Sequence, residues 1–169
     1  MTPTRRLFIG LMPDAAVRDA LVEHQRRWHW SAASVPTRPE RLHLTVHFLG
    51  ELDGVRAQAL RAALATEPLQ PFELVLRTPQ VWPGGIAVLR PDPQPALDAL
   101  HARLAQCLRE VGLPLRRDEW LPHVTLARGA SEAMPPHETA PLPWAVNGFA
   151  LVWSRPGPAG GYEVLERYA

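Results

Sequence analysis

Two six-residue stretches carry one pattern. Leu42-His43-Leu44-Thr45-Val46-His47 and Pro122-His123-Val124-Thr125-Leu126-Ala127 each set a histidine and a threonine two apart among aliphatic residues. That spacing is the period of a β-strand, where side chains i and i+2 share a face about 6–7 Å apart. Seven histidines and eight threonines in 169 residues give about 0.3 such pairs by chance, so a single pair carries no information. Two pairs in matching strand-like settings do. Facing each other, they would form a site with two titratable rings, two hydroxyl donors and no carboxylate, a set suited to a phosphodiester.

The chemistry follows from the residue types. An imidazole titrates near pH 6.5, so one ring of a pair can be neutral while the other is protonated. The neutral ring takes a proton from water as it attacks phosphorus, and the protonated ring gives one to the leaving oxygen. Thr45 and Thr125 would donate to the non-bridging oxygens, which gain charge in the transition state. The residues alone leave open which histidine is the acid.

His47 shares the alternation of His43 and Thr45 and is expected on the rim of the site, against substrate or in solvent. Four strand residues span about 13 Å, too far for His43 and His47 to hold one ion, so no metal is expected. His24, His29, His101 and His137 lie in helical or loop surroundings and read as surface residues. Phe48 alternates with Leu44 and Val46 and reads as core. Phe8, Trp120 and Trp153 could stack on a nucleobase, with core packing the simpler expectation for each. Arg5, Arg6, Arg116 and Arg117 could guide a phosphate backbone or sit exposed without a specific role.

Composition narrows the choices. The chain is 46% hydrophobic and 21% charged, ordinary for a soluble globular domain, and is read as a single domain over 1–169. No apolar run is long enough to span a membrane, and the apolar stretch after the basic N-terminus is too short for a secretory signal. Cys107 is the only cysteine, which excludes a disulfide framework or a thiolate metal site and favours a cytoplasmic location. It reads as a small buried apolar residue. All eighteen basic residues are arginine, which rules out Schiff-base, lysyl-adenylate and Walker-lysine chemistry. A net charge of +1 makes any RNA contact local rather than spread over a basic face.

The elements that must position the motifs can be read along the chain. Strands are expected at 5–12, 41–49, 72–76, 86–89, 120–128, 145–154 and 161–168. Helices are expected at 14–28, 53–65 (capped by Asp53) and 95–110 (stopped at Gly112). The segments 31–39 and 129–143 read as loops, and 78–95 is a Pro- and Gly-rich stretch around the short strand 86–89. The expected fold is α+β. It has two similar lobes of mainly antiparallel sheet, helices on the outer faces and a central cleft carrying the two His-x-Thr strands.

The motifs His43-Leu44-Thr45-Val46-His47-Phe48-Leu49-Gly50 and Pro122-His123-Val124-Thr125-Leu126-Ala127-Arg128 resemble the paired signatures of the two-histidine phosphoesterases. Arg6-Leu7-Phe8 and Tyr162-Glu163-Val164-Leu165-Glu166-Arg167-Tyr168 narrow the resemblance to the bacterial and archaeal RNA 2′,3′-cyclic phosphodiesterases, also called 2′,5′ RNA ligases. The likeness runs through nearly the whole chain in order and spacing. It implies hydrolysis of a terminal 2′,3′-cyclic phosphate to a 2′-phosphomonoester, with His43 as proton donor and His123 as acceptor. It also implies reversible, ATP-independent 2′,5′ ligation, in which those roles swap, and a phosphate contact from Arg128. Strict alternation puts Arg128 on the wrong face, so a strand end or bulge must turn it inward; the alternative is a surface arginine. The expected partners are RNA ends or small cyclic nucleotides, with no cofactor, membrane or obligate protein partner, and a monomer. The rival readings are a phosphodiesterase for another cyclic or 2′,5′-linked nucleotide, and a non-catalytic RNA- or nucleotide-binding module.

Overall fold

Hydrophobic alternation and capping residues set most of the element boundaries. A computed structural model of the chain describes residues 2–169. It contains strands β1 (Thr4–Leu11), β2 (Val35–Pro36), β3 (Leu44–Asp53), β4 (Phe72–Trp82), β5 (Ile86–Pro91), β6 (Val124–Arg128), β7 (Leu142–Val146), β8 (Phe149–Ser154) and β9 (Tyr162–Tyr168). The helices are α1 (Ala15–Arg26), α2 (Gly54–Leu64) and α3 (Pro95–Glu110), with a 3₁₀ turn at Pro39–Arg41. The carboxylates of Asp14 and Asp53 accept from Val17 N (2.9 Å) and Arg56 N (2.8 Å), starting α1 and α2. Gly112, at φ +76°, ends α3. The apolar stripe of α3 (Leu97, Leu100, Leu104, Leu108) is buried, and Cys107 lies within it.

All nine strands join one antiparallel sheet in the order β7-β4-β5-β6-β3-β1-β8-β9, with β2 added beside β6. The sheet divides into two four-stranded halves, β6-β5-β4-β7 and β3-β1-β8-β9, each holding one motif. They meet at a single pairing, Leu44 opposite Val124. α2 and α3 pack beside β3 and α1 against β7. This is the expected α+β arrangement of two antiparallel lobes.

Three stretches differ from the sequence expectation. The segment 145–154 is two strands, because the chain leaves β7 at one edge of the sheet and joins β8 in the other half. The break falls at Asn147-Gly148, where a Cβ on Gly148 would come within 2.4 Å of the Tyr168 carbonyl oxygen. β4 runs on to Trp82 through Pro79. β7 pairs only with 72–76, so beyond that point one edge of β4 is free and Pro79 needs no donor there. The loop 31–39 contains β2 and leads into the 3₁₀ turn.

β1 alternates cleanly between faces. Leu7, Ile9 and Leu11 enter the main core, while Phe8 joins Ala150 and Val152 in a small cluster on the other face. That second face carries the site. Gly10 leaves room there, since a Cβ would meet the Phe8 ring at 3.0 Å and the Leu44 carbonyl at 3.2 Å.

Candidate active site

Both motif histidines sit one residue ahead of their strands, since β3 begins at Leu44 and β6 at Val124. The antiparallel pairing of Leu44 with Val124 therefore aligns His43 with Thr125 and Thr45 with His123 across the junction of the halves. His43, Thr45, His123, Thr125 and Arg128 line one cleft of about 730 Å³.

The two rings are held in the same way. His43 Nδ1 lies 2.7 Å from the carbonyl oxygen of Arg41, and His123 Nδ1 lies 2.7 Å from that of Leu121, each the residue two before. A carbonyl only accepts, so Nδ1–H donates in both rings and Nε2 is left as the working nitrogen. His43 Nε2 lies 2.8 Å from Thr45 Oγ1, and the hydroxyl donates to it while the ring is neutral.

Aromatic walls enclose each imidazole. Phe8 packs against His43 with ring centres 4.7 Å apart, and Tyr162 meets it edge-on at 5.1 Å. Trp82 covers His123 at 4.5 Å. Burial pushes His43 from the ordinary 6.5 down to about 4, against the raising effect of its bond to Arg41, and charge on His123 lowers it further. His123 is also lowered by burial, opposed by its bond to Leu121, with the Arg90 and Arg128 guanidinium groups adding to the effect. Both rings are therefore neutral at pH 7 in the free protein. An anion bound between them would favour their protonated forms.

Strand irregularities decide which neighbours reach the cleft. Between β1 and β3, Gly10 pairs with Thr45, Ile9 with His47 and Phe8 with Phe48. The bulge at Val46 turns Phe48 to the exposed site face, correcting its expected place in the core, while His47 turns toward α3 and still lines the cleft, as expected of it. His47 is 9% exposed and bonds through Nε2 to the His101 carbonyl at 2.9 Å, whereas Phe48 is 45% exposed. In β6, Val88 pairs with Thr125 and Ala87 with Ala127. The bulge at Leu126 returns Arg128 to the face of Thr125.

Two other histidines are not the surface residues expected. His24 is buried, and its Nε2 accepts from Trp28 Nε1 at 3.0 Å. His101 is sandwiched between His47 (ring centres 4.2 Å) and Trp120 (3.9 Å). Burial and neighbouring His47 push it down to about 4. His29 and His137 are not buried in this way. Trp120 Nε1 donates to the Thr45 carbonyl at 3.2 Å, so this residue braces β3 from the segment that leads into His123.

Trp153 lies between the Arg5 and Arg155 guanidiniums at 4.4 and 4.6 Å, away from the cleft lining. Arg6 pairs with Glu51 and Arg116 with Asp118. Of the four arginines considered as backbone guides, only Arg116 lines the cleft; Arg117 is exposed elsewhere. Spacing gave no warning of Trp82, Tyr162, Arg38 or Arg41, all of which line the cleft. Among the described residues no group of three His, Cys, Asp or Glu side chains converges as a metal site.

Known proteins resemble this chain in sequence and fold. The chain is 34% identical to an RNA 2′,3′-cyclic phosphodiesterase of Thermus thermophilus, covering 97% of this chain and 89% of that protein. It is 32% identical to an RNA 2′,3′-cyclic phosphodiesterase of Escherichia coli, over 89% of this chain and 88% of that protein. The crystal structure of E. coli LigT complexed with 3′-AMP superposes with a TM-score of 0.88 at 27% identity, covering 99% of this chain and 98% of that one. The sequence model of the 2′-5′ RNA ligase superfamily matches residues 13–158, and this chain belongs to that superfamily.

Proposed function

We propose that this protein is an RNA 2′,3′-cyclic phosphodiesterase, a hydrolase that opens a terminal cyclic phosphate by acid–base catalysis between His43 and His123. The observation that carries the reading is the matched anchoring of the two rings, each with Nδ1–H tied back to a carbonyl and Nε2 left to work at the same cleft. Binding of a nucleotide alone needs no such pair.

The bound diester anion raises the affinity of both rings for a proton, and one of them, His43 in this reading, takes it up. His123 Nε2 accepts a proton from water as the water oxygen bonds to phosphorus. The bond from phosphorus to ribose O3′ breaks, and His43 Nε2–H protonates that oxygen. The product is a 2′-phosphomonoester with a free 3′-hydroxyl, and solvent resets the two rings. Thr45, Thr125 and the Arg128 guanidinium donate to the non-bridging oxygens as charge builds on them. The 5′-hydroxyl of a second RNA, in place of water, turns the same scheme into 2′,5′ joining with no nucleotide cofactor; O3′ is still the leaving oxygen, so His43 and His123 keep these roles, and the expected swap belongs to cleavage of the 2′,5′ bond.

We place the protein in the cytoplasm as a monomer acting on RNA ends or small cyclic nucleotides; no helix among the described residues is long and apolar enough to cross a membrane. The test is product analysis. An oligonucleotide ending in a 2′,3′-cyclic phosphate, incubated with the purified protein in EDTA, should give the 2′-phosphomonoester by ³¹P NMR. A 3′-phosphate product, or an unopened ring, contradicts the reading.

A further inference from the structure

We propose that Arg41, together with Arg38 and the Tyr162 phenol, forms a second anion subsite that takes the 5′-phosphate of the terminal nucleotide, so that the cleft prefers an RNA end to a bare nucleoside cyclic phosphate. The inference rests on the reading above, with His43 on the leaving-group side.

Arg38 precedes the 3₁₀ turn that leads into the first motif and Arg41 ends it, and both line the cleft. The Arg41 carbonyl is the group that anchors His43, so its guanidinium stands at a fixed offset from the reacting ring. Elsewhere on the molecule, Arg61, Arg77 and Arg155 each meet a carboxylate. Arg38 and Arg41 meet none among the described residues.

The Arg41 guanidinium lies 5.7 Å from the centre of the Tyr162 ring and donates to the Gly160 carbonyl, and its Nε is buried without a partner. A half-buried cation with no counter-charge is stabilised by an arriving anion. Burial raises the Tyr162 phenol, opposed by Arg41 and Arg128, so it keeps its proton and acts as a donor.

The subsite is distinct from the place of the reacting phosphate. Arg128 lines the cleft from the end of β6, on the side of the second motif, whereas Arg38 and Arg41 line it from the turn before β3. Water approaches on the His123 side, so the ribose and the chain beyond it extend past His43, toward Arg41. The next phosphate in that direction is the 5′-phosphate of the terminal nucleotide. A cleft of about 730 Å³ fits a whole nucleotide rather than a phosphate alone.

The experiment compares kcat/KM for uridine 2′,3′-cyclic phosphate carrying a 5′-hydroxyl with that for the same compound carrying a 5′-phosphate. Wild type should favour the 5′-phosphorylated compound by about ten-fold or more, the scale of one charge-assisted phosphate contact. Arg41→Gln should bring the ratio close to one, while Arg41→Lys should keep part of it. Arg38→Gln, at an exposed position, should also lower the ratio and serves if Arg41→Gln fails to fold. Equal rates on both compounds in wild type, or a ratio unmoved by these substitutions, overturns the subsite alone. No turnover of either compound or of a cyclic-ended oligonucleotide overturns the phosphodiesterase reading, and the subsite falls with it.

Discussion

His43 and Thr45 engage each other inside the first motif, Nε2 to Oγ1 at 2.8 Å. While His43 is neutral, the threonine hydroxyl directs its proton at the ring. Once His43 is protonated, Nε2 no longer accepts, so its N–H serves the leaving O3′ and the threonine hydroxyl is released to donate to the substrate. Charging the acid and freeing a phosphate donor thus become one event.

Thr45→Val removes that donor with little change of shape. We predict a fall in kcat of about 10²–10³, the scale of a lost oxyanion-hole donor, with Thr45→Ser close to wild type. Steady-state kinetics on a cyclic-ended oligonucleotide checks this. Equal losses in the two variants would show that the methyl group matters rather than the hydroxyl.

The pH profile should be acidic in the free enzyme. Both histidines lie below the ordinary 6.5, His43 at about 4, and kcat/KM reports free-enzyme groups. Its bell should peak below pH 6.5, while the kcat bell, reporting the complex with bound anion, should move upward. A kcat/KM maximum above pH 7 would contradict the assignment.

Stability should fall with acid, with His101 contributing beside His43. The His101 value in the folded chain, about 4, is below the ordinary 6.5, so between these limits the unfolded chain binds more protons. Thermal midpoints should therefore drop as pH falls from 6.5 toward 4, with no contribution from this group above 6.5. His101→Phe, which keeps a ring between His47 and Trp120, should flatten the drop. An unchanged slope in the variant would assign the acid sensitivity to other groups.

His47, on the core side of the bulge, should matter to stability more than to chemistry. Losing its bond to the His101 carbonyl in His47→Leu should cost about 1–3 kcal/mol, with kcat within a few-fold of wild type. Urea denaturation and the same kinetic assay separate the two effects. A loss of kcat like that of a His43 substitution would put His47 in the reaction.

The motifs were legible because strand periodicity is local. Alternation alone was enough to pair each histidine with its threonine, and the caps at Asp53 and Gly112 marked their helices. The bulges were not legible. The extra residues at Val46 and Leu126 depend on pairing with β1 and β5, strands distant in sequence. One of them brings Phe48 out of its expected core place and buries His47 in the cleft wall. His101 looked like a surface residue because its partners, His47 and Trp120, come from other parts of the chain. Tyr162 was visible only as part of a terminal resemblance, since its place against His43 is set by the pairing of β9 beside β8.

The most direct test is the opening rate of a 2′,3′-cyclic phosphate by His43→Asn, His123→Asn and the double variant, each checked for wild-type circular dichroism. An acid and a base working in one step should each cost about 10²–10⁴ in kcat when removed, and the double variant should lose far less than the product of the two. Either single variant turning over within ten-fold of wild type would show that the two imidazoles do not share the proton transfers of one reaction.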